Sequence, residues 1–453
     1  MINNMVLYNK KALIYWSSFL ALFLGYPIFA NLIERNETWI LFLAYGALWV
    51  LSLPWLIDQN KSLQKETSRW AVDLMVGLLL RLSLIFTFPS LSQDIFRFLW
   101  DGHLVANGIS PYLLTPNELL ESSQTLFNIP KNAQWMINKM GELSAGNHSS
   151  YPPITQWIFA IPHWMQITAI TWQIVILRLS IIGADLGVYF LGRMLLRKLN
   201  LNPKHINWYF LNPFIILELT GNLHFEAFVT LSFLGCIWKL RQQAYFPAGI
   251  LLGIGIGIKL IPLIFIPLIV AFIISPESCL LRELRANSGH ERLSDFLCFF
   301  VGLLICTTLL CYPFFELGSA VNYIETIGLW FTKFEFNASI YYLLRWLGFL
   351  WKGYNLIAFI GPALSTLSVL IILYLSRLVY LNRCSLIQAM MWAILIYLLL
   401  ATTVHPWYWT TVLIMSILCN SKIGLIGSVV IFMSYSAYQE QIVTQQPLWI
   451  LLE

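Results

Sequence analysis

Long apolar runs, broken by short polar clusters, organise the chain from end to end. "LIYWSSFLALFLGYPIFANLI", "WILFLAYGALWVLSLPWLI" and "LIQAMMWAILIYLLLATTV" each reach the ~20 residues that a helix needs to cross a bilayer. The runs are continuous and do not alternate, so they predict helices and not the strands of a β-barrel. Similar runs recur to the C-terminus. They predict an all-α, polytopic integral membrane protein with about 11–13 spans. The first run is followed by others, so it is read as a retained span and not a cleaved signal. No low-complexity tract and no internal repeat divides the sequence, which points to one integrated domain over residues 1–453.

The polar clusters orient the spans. Lys10 and Lys11 precede the first run, and Lys61, Lys65 and Arg69 follow the second. Arg193, Arg197, Lys198 and Lys204, then Lys239 and Arg241, then Arg282, Arg285 and Arg292 form later groups. Placing all of them in the cytoplasm is self-consistent. Residues 91–167 then become the first large extracytoplasmic loop. This requires "YPPITQWIFAIPHWMQ" (151–166) and "SIYYLLRWLGFLW" (339–351) to lie on the outer face as interfacial helices. It also makes "GNLHFEA" (221–227) an outer turn. "GIGIKLIPLIFIPL" (255–268) becomes a helix–break–helix, with Pro262 and Pro267 breaking it near Lys259.

Composition agrees with this picture: 58% of the 453 residues are hydrophobic and 11% charged, which excludes an ordinary soluble domain. The net charge of +5 sits in loops and forms no stripe for nucleic acid. The seven cysteines have no paired spacing, so neither a disulfide framework nor a metal cluster is expected. Sequons at Asn36, Asn147 and Asn337 all fall outside in this topology.

Chemistry concentrates in "SQDIFRFLWDGHLVANGISPY", residues 92–112. Read as a helix, it places Asp94, Arg97 and Asp101 on one face. Arg97 can pair with Asp101 four residues on, leaving Asp94 the less neutralised carboxylate. Gly102 or Gly108 can end the helix. The competing reading is a solvated loop helix with a surface ion pair.

This loop resembles the first outer loop of polyprenyl-phosphate-mannose-dependent mannosyltransferases of the GT-C superfamily, which reads roughly "DIYRYLWDGRVQAAGINPY". Four further segments agree in order: "YPPITQ", "LNPFIILELTGNLHFEA", "IKLIPL" and "HPWYW". The likeness covers about residues 92–410. His103 replaces the usual basic residue after WDG, Leu223 a usual Gly, and Glu226 a common Asp. Asp94 stands alone where many members carry paired acids, which puts a divalent metal in doubt; no other cofactor is expected.

The resemblance implies a GT-C fold. It also implies transfer of a hexose, expected to be mannose, from a polyprenyl-phosphate donor to a glycan, lipid or protein acceptor by inverting displacement. Asp94 would be the base, with Asp101 the second candidate carboxylate. Lys259, His405, Arg345 and Arg97 would serve the donor phosphate and lipid. His224, Glu226, Tyr151 and Trp100 would contact substrate. The setting would be the cell membrane, with an extracytoplasmic site, or the endoplasmic reticulum membrane in a eukaryote.

Plainer readings stay open for several of these. Lys259 can snorkel, His405 can sit among interfacial aromatics, Arg345 can anchor its helix, and His224 and Glu226 can form a polar turn. Within spans, Asp185 can accept from Arg178 at i+7, and Arg81 can meet lipid phosphate or seal a helix contact. Other classes fit part of the pattern: a transporter or lipid flippase would also show buried charges and broken helices. A lipid-linked polysaccharide ligase or polymerase would share the donor.

Overall fold

A computed structural model describes residues 2–57, 66–122, 128–276, 289–314 and 316–438. Lys61, Lys65, Cys279, Arg282 and Arg285 lie outside these. Among the described residues every regular element is helical, and the lone β-bridge joins Phe336 to Thr403. This is the all-α membrane architecture expected from the apolar runs.

The first half contains α1 (Ile2–Leu32), α2 (Thr38–Ile57), α3 (Glu66–Ser83), α4 (Asp94–Ala106), α5 (Pro116–Glu121), α6 (Ala133–Met140), α7 (Glu142–Ala145), α8 (Pro153–Trp164) and α9 (Ile170–Lys198). Two single turns, α10 (Asn207–Phe210) and α11 (Pro213–Ile215), lead into a π-helical stretch over Ile216–Gly221. Then come α12 (Glu226–Arg241), α13 (Tyr245–Ile258) and α14 (Ile266–Ile274). The second half holds α15 (Gly289–Cys311), α16 (Leu317–Thr332), α17 (Ser339–Lys352), α18 (Ile357–Tyr380), α19 (Leu386–Leu400), α20 (Trp409–Leu418) and α21 (Ile423–Val430). A 3-10 helix over Ile431–Tyr438 follows.

The apolar runs form helices of two lengths. Among the described residues, five helices are long and apolar enough to cross a membrane, and a sixth span would be the pair Pro213–Gly221 and Glu226–Arg241, bent by 113°. Five further apolar helices are shorter than a full span. The run "LIQAMMWAILIYLLLATTV" shows why. Its helix stops at Leu400, and residues 401–405 run extended beside residues 334–338. Phe336 N–H donates to Thr402 and Val404 N–H to Phe336, so apolar composition here belongs partly to a bridge. Segments 151–166 and 339–351 do form short helices. At about 1.5 Å per residue neither α8, with 12 residues, nor α17, with 14, reaches across a ~30 Å hydrocarbon layer.

Charges inside the bundle are paired, but not as the spacing suggested. Asp185 on α9 accepts from Arg81 on α3 at 2.8 Å and from Tyr209 at 2.7 Å, all three buried. Arg178 instead caps carbonyls, donating to Thr220, Gly221, Ile85 and Thr87 at 2.7–2.9 Å. These carbonyls lie at the end of α3 and of the π-helical stretch, where helical partners run out. Arg178 therefore ties the segment that leads into α4 to the break between α11 and α12.

Gly102 does not end α4. The helix continues to Ala106, and a side chain at Gly102 would run into the Phe159 carbonyl, so the glycine lets α4 lie directly on α8. Gly108, at φ +74°, takes the left-handed turn after the helix.

Candidate active site

The α4 end of the bundle surrounds a cavity of about 1240 Å³. Asp94, Arg97, Tyr151, Lys259, Arg345 and His405 all line it. Thus segments separated by up to some three hundred residues converge on one space.

Asp94 is the first residue of α4, and its backbone N–H donates to Ser92 Oγ at 3.2 Å. Tyr151, Ser92 and Lys259 all act on its carboxylate to favour the charged form. Burial raises the Asp94 pKa above the usual carboxylate value, against the opposing pull of Lys259. A carboxylate tuned upward in a cleft suits proton abstraction.

Lys259 follows the last residue of α13 in extended conformation, because Pro262 cannot continue the helix. Its ammonium is 3.2 Å from Glu226 Oε1 and faces the rings of Tyr151 and Tyr408 at 5.5 and 5.8 Å. One ammonium thus serves two carboxylates, Asp94 and Glu226. Snorkelling does not describe this geometry, since the charge points inward to partners.

Glu226 and His224 stand behind the cavity wall. They flank the break of the 113° bend, where Leu223 takes φ +62°. That left-handed conformation favours glycine, the residue usual at this position in the mannosyltransferases that the motif resembles. His224 Nε2 is 3.7 Å from the buried Glu218 carboxylate, which accepts a hydrogen bond from Tyr435 at 2.8 Å. The His224 ring stacks on Trp407 at 3.5 Å, Trp407 on His405 at 4.5 Å, and His405 on Phe336 at 5.1 Å. The Phe336–Thr403 bridge holds the outer end of this four-ring stack. Burial pushes the His405 pKa down to about 3, so its ring is neutral and meets a ligand as a hydrogen-bonding group, not a cation. Trp407 Nε1 is buried without an acceptor among the described residues, a donor in the cavity wall.

Asp101 and Trp100 are placed differently. Both are fully buried and neither lines the cavity. Asp101 accepts from Arg97 at 2.7 Å, from Ser149 at 2.5 Å and from Gln156 at 3.1 Å. Arg97 also donates to the carbonyls of Ser144 and Asn147, at 2.6 and 2.9 Å. This network joins α4 to the α7–α8 connection. It organises the loop and leaves Asp94 facing the cavity. Arg345 is 3.2 Å from Glu335, which also accepts from Tyr341 and Asn355.

Sequence reasoning passed over Arg35, Glu335, Tyr435 and Tyr438, all of which line the cavity. None lies in a recognisable motif. Arg35 carried a signal of a kind, as a cation in the short link between the first two apolar runs. Among the described residues, no group of three or more His, Cys, Asp and Glu side chains converges as a metal set.

The family model described as alpha-(1->6)-mannopyranosyltransferase, N-terminal domain (MptA_B family) matches residues 21–275. The match contains Asp94, Tyr151, Glu226 and Lys259 and ends before Arg345 and His405. No curated protein and no solved structure matches the chain. With more than half of its length matched, the chain belongs to this mannosyltransferase family, and it is a membrane-embedded glycosyltransferase.

Proposed function

We propose that the chain transfers mannose from a polyprenyl-phosphate donor to a hydroxyl of a glycan, glycolipid or protein on the extracytoplasmic face of the cell membrane. The observation that carries this reading is Asp94 beside Lys259 in one cavity that shares the wall residue Leu364 with an apolar groove. The groove, about 460 Å³, runs between α17 and α18 and is lined by Leu344, Leu347, Trp351, Ile360, Leu364 and other apolar residues. Leu364 also lines the cavity, so an isoprenoid chain in the groove would bring its phosphate in beside Arg345.

In this mechanism the acceptor hydroxyl attacks the anomeric carbon while Asp94 takes its proton. The bond from that carbon to the phosphate oxygen breaks, and the bonding pair leaves with polyprenyl phosphate. Lys259 offsets the charge growing on the phosphate, and His405 and the Trp407 N–H supply hydrogen-bonding groups. The Arg97–Asp101 network fixes the height and direction of α4, so that the base meets the hydroxyl. One displacement inverts the anomeric centre, so an α-(1→6) product, as in the family's description, requires a β-linked donor.

The test is transfer by the purified protein in nanodiscs, supplied with mannosyl-, glucosyl- or arabinosyl-phosphopolyprenol. The expected result is mannosyl transfer with one polyprenyl phosphate released per sugar. Transfer from GDP-mannose and none from the lipids would overturn the donor assignment.

A further inference from the structure

Four cationic side chains from lysine and arginine line the cavity, and three are matched to carboxylates. Arg97 holds Asp101 at 2.7 Å, Lys259 holds Glu226 at 3.2 Å, and Arg345 holds Glu335 at 3.2 Å. Arg35 is the fourth. Its guanidinium lies over the Tyr438 ring, 4.6 Å from the centroid, and it has no carboxylate partner among the described residues.

Arg35 sits in the turn between α1 and α2, outside every motif discussed above. It is only partly exposed and stands where Asp94, Tyr435 and Tyr438 also reach the cavity. Its charge acts on all three of these side chains. A cation in such a place is costly unless an anion meets it. The guanidinium presents a planar fork of donors that matches two phosphate oxygens, whereas the Lys259 ammonium is a point charge already shared by two carboxylates.

We propose that Arg35 binds the phosphate of the lipid-linked donor and holds the departing polyprenyl phosphate. The inference rests on the donor reading given above. When the bond between sugar carbon and phosphate oxygen breaks, the phosphate gains a negative charge, and the Arg35 contact strengthens with it. Arg35 can take up this anion without releasing a carboxylate, which Lys259 and Arg345 cannot do. The Tyr438 ring keeps the guanidinium flat and in place through a cation–π contact.

The experiment compares full-length wild type, Arg35→Gln, Arg35→Lys and Tyr438→Leu in nanodiscs. Donor kinetics use mannosyl-phosphopolyprenol, and inhibition is measured with undecaprenyl phosphate and with inorganic phosphate. Arg35→Gln is expected to lower kcat/KM for the donor by about a hundredfold, as for loss of one charge-stabilising donor. Inhibition by undecaprenyl phosphate should weaken in parallel, and Arg35→Lys should recover part of both. Weakened inhibition by undecaprenyl phosphate alone places the anion on the lipid; weakening for both probes assigns a general phosphate site at Arg35. If Arg35→Gln does not fold, Tyr438→Leu reports instead, with product inhibition weakened severalfold. Unchanged donor kinetics and product inhibition in a folded Arg35→Gln, or in Tyr438→Leu where that variant stands in, would overturn the inference while leaving the donor reading intact. A wild type that neither uses the lipid donor nor binds undecaprenyl phosphate would overturn both.

Discussion

Arg97 and Asp101 form a buried ion pair of 2.7 Å across one turn of α4, and the same helix presents Asp94 to the cavity. The two carboxylates therefore have separable tasks. Asp101→Asn removes the charge that compensates Arg97, and breaking a buried pair from one side costs about 3–5 kcal/mol. Thermal denaturation in detergent should show that loss. A fully stable Asp101→Asn protein would deny the pair its structural role.

Asp94→Asn keeps the shape and removes the basicity. Its melting temperature should match the wild type, while single-turnover transfer with bound donor falls about a hundred- to ten-thousandfold. If Asp94→Asn transfers at the wild-type rate while a folded Asp101→Asn does not, the assignment is reversed.

The same carboxylate sets the pH profile. Burial raises the Asp94 pKa above the usual value, so the base is protonated at a higher pH than an exposed aspartate would be. Transfer should be full above that pKa and decline as pH falls through it. The acid limb of kcat/KM should therefore lie above the ordinary aspartate value of about 3.9. A limb at or below that value would count against Asp94.

Lys259→Met removes the ammonium shared by Glu226 and Asp94. Turnover is expected to fall about a hundredfold, as for loss of one oxyanion donor. It also strands two carboxylates, so stability should fall with it. Lys259→Met combined with Glu226→Gln should regain stability but not turnover. Restored turnover in the double variant would show that Lys259 serves folding alone.

Gly102→Ala places a methyl group against the Phe159 carbonyl, where α4 lies on α8. The expected cost is about 1–3 kcal/mol, the range for overpacking. Transfer should fall as well, because the helix carrying Asp94 is displaced. A Gly102→Ala protein as stable and active as the wild type would mean that the contact is easily relieved.

Much of the site was legible because its charges have few places to go. Lys259 in a glycine- and proline-broken apolar run, and Asp94 beside the last apolar run before the loop, both announce themselves against a hydrophobic background. The Arg97–Asp101 pair follows from helical arithmetic alone. Arithmetic failed for Asp185, because a partner seven residues away on α9 lost to Arg81 from another helix. No local rule encodes such a choice. Arg35 and Glu335 were missed for the same reason, since the third dimension makes them neighbours of the motif residues. The run ending at Val404 reads longer than its helix, because Thr402–Val404 bridge to Phe336.

The Arg81–Asp185 pair has a consequence for biogenesis. The partners are 104 residues apart, so α3 is synthesised before its counter-charge has been made. At about 5–20 residues per second, the ribosome leaves Arg81 unmatched for about 5–20 s. Arg81 stands in the last turn of α3, where a long cationic side chain can reach toward the polar layer until its partner arrives. Helix α3 is thus completed by α9, whose Asp185 accepts from the arginine inside the bundle. The wait ends when Asp185 emerges, and the arrival of α9 locks in the segment that leads to the functional loop. The bundle is thus assembled around a charge that is held in reserve during synthesis.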